Sequence, residues 1–148
     1  MLNSIHTKKI LEAIVGRDDM YGDVVYLGLS STTPTSNGTN ITEPSGGGYK
    51  RVLVGKEGVA ETYKFGSASS NGTSITNSTE IYFPESTGSW GPALTHFVFY
   101  NSPTATSSSN VIAFGELTDE GVPTPVTVSL EKTVVMFRPG KLVVRFTD

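Results

Sequence analysis

Ala93-Leu94-Thr95-His96-Phe97-Val98-Phe99-Tyr100 is apolar on both faces of an extended chain. Leu94 and Val98 fall on one side and Phe97 and Phe99 on the other, because successive strand side chains point to opposite faces. A strand with one solvated face would alternate apolar with polar residues. This one reads as a central strand, or as one whose second face a partner covers.

The neighbouring segments carry the same period. Downstream, the polar link Asn101 to Asn110 leads to Val111-Ile112-Ala113-Phe114-Gly115-Glu116-Leu117. Three closing strands follow, Val126 to Leu130, Thr133 to Arg138 and Lys141 to Phe146, the last two joined by the tight-turn signal Arg138-Pro139-Gly140-Lys141. Upstream, Val24-Val25-Tyr26-Leu27-Gly28-Leu29 places Val25, Leu27 and Leu29 on one face. Tyr49 to Val54 and Glu80 to Phe83 read as strands, with a weaker one around Tyr63 and Phe65. Between them lie two polar tracts, Ser30 to Gly48 and Gly66 to Thr79. Short strands separated by turn clusters predict an all-β fold, an antiparallel β-sandwich of jelly-roll type.

Only the opening segment breaks this pattern. Asn3 or Ser4 can cap a helix there, Ile10, Leu11, Ile14 and Val15 form one apolar stripe, and Gly16 is a suitable stop. A helix this short must dock on something. The expected organisation is therefore a docking helix over residues 1–17 and a β-sandwich over 23–148, with a long polar arm at 30–48.

Composition narrows the function. With 148 residues, the chain fits one domain. A net charge of −3 lacks the basic footprint of a nucleic-acid-binding protein. The absence of cysteine excludes disulfides, thiolate chemistry and zinc–sulfur sites. Met1 to Val15 lacks the apolar core and cleavage site of a signal peptide, and no run approaches a membrane span. The expectation is a soluble protein that neither inserts into membrane nor binds nucleic acid.

No residue cluster suggests catalysis, a cofactor or a metal. His6 and His96 are the two histidines, with no spacing that makes a metal site. Adjacent carboxylates in Asp18-Asp19 and Asp119-Glu120 point apart on an extended chain, and Asp119-Glu120-Gly121 reads as a turn. Gly46-Gly47-Gly48 lacks the Lys-Ser/Thr and helix of a phosphate cradle and reads as a flexible hinge. Sequons begin at Asn37, Asn40, Asn71 and Asn77, as expected by chance on an Asn/Thr-rich surface. Trp90 could stack on a sugar or anchor an interface, and its plainer reading is a core-edge residue capping the sandwich.

The order of these elements resembles a group of small tailed-bacteriophage virion proteins, usually labelled tail fibre or minor structural protein. The resemblance runs through Val25-Tyr26-Leu27-Gly28-Leu29, the Thr33-Pro34-Thr35 turn and Thr42-Glu43-Pro44-Ser45-Gly46-Gly47-Gly48-Tyr49-Lys50-Arg51-Val52. It continues through Phe83-Pro84, Trp90-Gly91, Leu94-Thr95-His96-Phe97, Gly115-Glu116-Leu117 and Gly140-Lys141-Leu142. After Tyr100 the chain departs from the pattern with Asn101-Ser102-Pro103 and a Ser-rich insertion, which implies a contact specific to its own particle.

What the resemblance implies is a virion component without enzymatic activity or cofactor, assembled in the bacterial cytoplasm. A tail- or fibre-associated role is expected, with capsid decoration as the alternative and host-glycan binding through Trp90 as a second. The expected partners are further copies, a trimer favoured, and other tail or capsid proteins. The expected contact residues are Ile10, Leu11, Ile14, Val15, Tyr49 and Arg51.

Overall fold

A computed structural model of the chain describes Met1, Asn3, Ser4 and residues 24–56, 64–65 and 74–145. The bulk of the expected helix, including Ile10, Leu11, Ile14 and Val15, lies outside the described residues, as do His6, Tyr63 and Asn71. The described elements are antiparallel strands apart from one 3-10 turn, Ser108–Asn110. The strands are β1 (Val24–Ser30), β2 (Val52–Lys56), β3 (Ser74–Thr76), β4 (Ile81–Tyr82), β5 (His96–Tyr100), β6 (Val111–Glu116), β7 (Thr118–Asp119), β8 (Val122–Pro123), β9 (Met136–Phe137) and β10 (Val143–Arg145).

One four-stranded sheet, in the order β2-β1-β5-β6, is joined by three two-stranded ribbons, β10-β3, β4-β9 and β7-β8. The two-sided segment around Phe97 is thus an interior strand, hydrogen-bonded to β1 and β6. Register decides which side chains share a face. Leu27 opposes Phe99, Leu29 opposes Phe97 and Phe99 opposes Ala113. These residues build the main core with Ile81, Phe83, Trp90, Leu94, Val128, Val135 and Leu142. On the other face, Tyr26 opposes Tyr100 and Val98 opposes Phe114. That face forms a second cluster of Val98, Tyr100, Val111 and Phe114, flanked by Tyr26 and Ile41.

Leu94 departs from the simple alternation. It precedes the strand, bridges Val126 and packs in the main core with Phe99 instead of beside Val98. The Phe97 ring lies over Gly115, whose added Cβ would sit 2.5 Å from it. A glycine inside a strand here admits an aromatic neighbour.

Both edges of the large sheet are engaged by other parts of the chain. At β2, Lys64 N donates to Val54 O at 2.9 Å, and Phe65 bridges to Asn77 beside β3. At β6, Phe114 N donates to Met1 O and Asn3 N to Ile112 O, each at 3.0 Å. Covering an edge removes a template for unspecific strand pairing. β3 is not legible in the sequence, because Ser74-Ile75-Thr76 sits in a tract with one bulky apolar residue, and the two-residue strands β7 and β8 are too short to show a period.

Candidate functional site

The tract that reads as a hinge is a closed polar knot against the second face of the sheet. Arg51 immediately precedes β2, and its guanidinium lies 3.3 Å from the centre of the Tyr100 ring. Its Nε donates to Glu43 Oε1 at 3.0 Å and its Nη2 to Glu43 Oε2 at 2.6 Å. Nη1 donates to Ser102 O at 2.8 Å and to Ala105 O at 3.0 Å. The Tyr49 hydroxyl donates to Glu43 Oε1 at 2.8 Å and accepts from Leu29 N at 2.9 Å. The knot thus ties the arm, β1 and the Ser-rich insertion 101–110 together.

Gly28 makes room for it. A Cβ there would meet Glu43 Oε1 at 2.7 Å, Tyr100 Cε2 at 2.9 Å and the Tyr49 hydroxyl at 3.0 Å. A glycine inside a strand marks a close approach of other groups. Gly28 within a strand is the one sequence signal of that approach, and nothing in the sequence around Glu43 marks it as the partner.

Electrostatics fit a structural role. The Arg51 side chain is 3% exposed and that of Glu43 16%. Burial pulls the Arg51 pKa down, but the hydrogen bond and charge of Glu43 outweigh it and hold the group above its ordinary value. Burial, then the Glu43 charge, push both Tyr49 and Tyr100 well above the ordinary phenol range. Both phenols stay protonated across any working pH. A carboxylate held by an arginine fork and a phenol is not free to act as a base.

Around the knot the arm folds back on itself. Ser31 N donates to Thr42 O at 2.9 Å, Thr32 Oγ1 to Asn40 O at 2.7 Å and Thr35 N to Thr39 O at 2.9 Å. Gly47 adopts φ +62°, and its carbonyl accepts the Trp90 indole N–H at 2.8 Å. Trp90 is 3% exposed and packs edge-on against Tyr49 and Phe83. Its ring belongs to the core and presents no open face on which a sugar could stack.

Other sequence candidates are placed just as plainly. His96 sits on β5 opposite Glu116, its Nδ1 2.8 Å from Thr95 Oγ1. Among the described residues no three metal-ligating side chains come together. No helix among them is long and apolar enough to cross a membrane. Asn77 is buried, donating to Thr79 O and Arg138 O and accepting from Leu142 N, each at 2.9 Å. Its amide is therefore closed to glycosylation in the folded chain.

Two surface features remain. An open groove of about 810 Å³ lies between the β7-β8 ribbon and the chain around β9 and β10. Phe97 and Phe137 line it, and the exposed pair Asp119–Lys141, 3.9 Å apart, stands at its rim. On the β4-β9 ribbon, Tyr82 opposes Met136, and Val134 lies two residues further along the same face. These side chains are 51%, 38% and 47% exposed, an apolar stripe left in water.

Antiparallel strands with loops held by buried polar groups define an all-β protein. The family is more specific. Residues 2–134 match the family described as Podophage GP4 fiber I protein gp80, and the chain belongs to that family of phage fibre proteins. No curated protein matches the chain. Membership makes it a virion structural component.

Proposed function

We propose that this protein is a non-catalytic, tail- or fibre-associated part of the virion that works by assembly. Its body is read as a jelly-roll-like β-sandwich, with the four-stranded sheet as one layer. The observation that carries the proposal is the family match across residues 2–134. The sheet supports it: both faces and both edges of β2-β1-β5-β6 are covered from within the chain, which suits a stiff, protease-resistant body.

Contacts with neighbours then fall to surfaces outside that body. The stripe of Tyr82, Val134 and Met136 is one, and the segment carrying Ile10, Leu11, Ile14 and Val15 is another. Tyr49 and Arg51 act on assembly through the shape of the arm they fix. The partners are further copies of the chain, closed as a trimer, and other tail proteins.

Cryo-electron microscopy of particles carrying an epitope-tagged copy tests this. Density on the tail is the expected result. Density over the capsid exterior would make it a decoration protein instead, and particles without the tag would overturn the virion role. Light scattering of the purified chain is expected to give a closed oligomer, and a stable monomer at micromolar concentration would overturn assembly through its own copies.

A further inference from the structure

β9 is paired along one edge only. Tyr82 opposes Met136, and beside this pair Phe83 N donates to Val135 O at 2.9 Å. In an antiparallel ladder, hydrogen-bonded pairs alternate with pairs that exchange no bonds. Tyr82 and Met136 are a pair of the second kind, so the N–H and C=O of Met136 point away from β4. The same alternation turns those of Val134 outward. Among the described residues nothing bonds to the main chain of Val134 or Met136 on that side.

The 810 Å³ groove follows this open edge. Val135, Met136 and Phe137 line it and no residue of β4 does, so it runs on the side of β9 that β4 leaves free. Thr124, Val126 and the β7-β8 ribbon line it from the other side. Val126 has its N–H and C=O committed to Leu94, at 2.9 and 2.7 Å, so main-chain recognition falls to β9. A strand added about 4.8 Å from β9 would lie in the groove. Alternate side chains would then meet Phe97 and Phe137, and the others would lie beside Val134 and Met136. One occupant thus accounts for the open edge, the groove and the apolar stripe. Edge-to-edge pairing of two folded copies needs the space that the β7-β8 ribbon fills. Charge narrows the occupant further. Glu116 and Glu120 line the groove from one side and Arg138 and Lys141 from the other, which suits a segment carrying both signs of charge.

We propose that this groove receives a single extended peptide strand donated by a different protein of the particle, paired with the open edge of β9. The strand is apolar at alternate positions and carries a basic and an acidic residue. Added strands take their affinity from main-chain bonds and their specificity from alternate side chains. The proposal rests on the assembly reading only for the source of the strand, since the open edge and the groove stand without it.

The test titrates the full chain into fluorescein-labelled heptapeptides and follows anisotropy. The peptides carry Lys and Glu at their ends and, between them, Thr alternating with Val, Ile, Leu or Phe. Saturable binding by members of this library is expected. N-methylation of the peptide amides on one edge should weaken it about fivefold per lost main-chain bond. Met136→Pro removes one outward N–H, a change that a strand edge facing solvent accepts, and should weaken binding similarly. Thr124→Phe fills the groove from the opposite side without touching β9 and should abolish binding. In amide-exchange spectra the Met136 N–H should exchange quickly in the free chain and slow on peptide addition, while the Phe83 N–H is protected throughout. A library without binders, or binding indifferent to N-methylation and to both variants, would overturn the slot. Protection of the Met136 amide that grows with protein concentration alone would place a second copy on the edge and overturn the foreign strand. Maltoheptaose shifting the Phe97 and Phe137 signals where no peptide binds would make the groove a sugar site. None of these failures bears on the tail location, which microscopy of the particle decides separately.

Discussion

The arm at 30–51 and the β4-β9 ribbon invert what their compositions suggest. The arm is built of Ser, Thr, Asn, Pro and Gly, yet hydrogen bonds and the Glu43–Arg51 pair fix it to the sheet. The ribbon has ordinary strand residues, yet Tyr82, Val134 and Met136 remain in water. Apolar content is therefore a poor guide here to which part is fastened down. Polar groups fasten a segment when every partner is supplied, because a buried donor or acceptor without one is costly. Apolar groups fasten it only when something lies against them.

The strongest way to break this contrast is to remove the centre of the knot. Arg51→Ala leaves a buried Glu43 carboxylate without its fork and frees the Ser102 and Ala105 carbonyls. Breaking a buried ion pair from one side costs about 3–5 kcal/mol. Urea denaturation should show that loss, and a change below about 1 kcal/mol would mean that solvent reaches the knot. Replacing both members, Glu43→Leu with Arg51→Met, should recover part of the loss because no charge is then stranded. Tyr49, left without its acceptor, limits the recovery.

A second experiment separates two glycines that look alike in sequence. Gly46 has nothing within 4 Å of an added Cβ, whereas at Gly47 the Cβ would lie 2.6 Å from both Gly88 O and Ser89 O. Gly47 also sits at φ +62°, where a side chain is strained. Gly46→Ala should change stability by less than about 0.5 kcal/mol, and Gly47→Ala should cost about 1–3 kcal/mol. Equal effects in thermal melts would restore the picture of a flexible hinge.

What the sequence disclosed follows the same division. Two-residue periodicity located β1, β2, β4, β5 and β6, because a half-buried strand must write its register into side-chain type. The two-sided pattern around Phe97 allows an interior strand or one covered by a partner, and the pairing of β5 with β1 and β6 decides for the first. The knot was not legible, since its parts are scattered at Gly28, Glu43, Tyr49, Arg51 and Tyr100, and pairing across such separations leaves no local period. Gly28 within a strand was the one visible trace. Trp90 as a core residue was readable, because Trp-Gly entering a buried strand offers a large apolar body at a turn. Asn3 or Ser4 reads as a helix cap; the Asn3 amide also donates to Ser108 O and Val111 O, which no short pattern encodes.

The ribbon should respond in the opposite sense to the knot. Val134→Thr and Met136→Gln remove exposed apolar surface without leaving a cavity, so stability should stay within about 0.5 kcal/mol of the parent. If the stripe is a contact between copies, the double variant will run at a smaller mass in light scattering while its melting is unchanged. A large loss of stability would show that these side chains pack against the chain itself, and the contrast with the arm would fail.

The smallest expected effect concerns His96, at the end of β5 where the ordered sheet meets solvent. Burial lowers its pKa from the ordinary 6.5, against a smaller upward pull from Glu116. Near and below that value the unfolded chain binds more protons at this site than the folded one. Its contribution to stability is therefore complete above pH 6.5 and declines as the pH falls from there through the folded pKa. His96→Gln keeps a polar side chain beside Thr95 and removes the titration. The urea midpoint of the parent should drop slightly more than that of the variant between pH 7.5 and 5. His6 is common to both proteins and cancels in the difference. If the parent instead gained stability relative to the variant on acidification, the Glu116 attraction would outweigh burial. The pair would then behave as an exposed cross-strand ion pair.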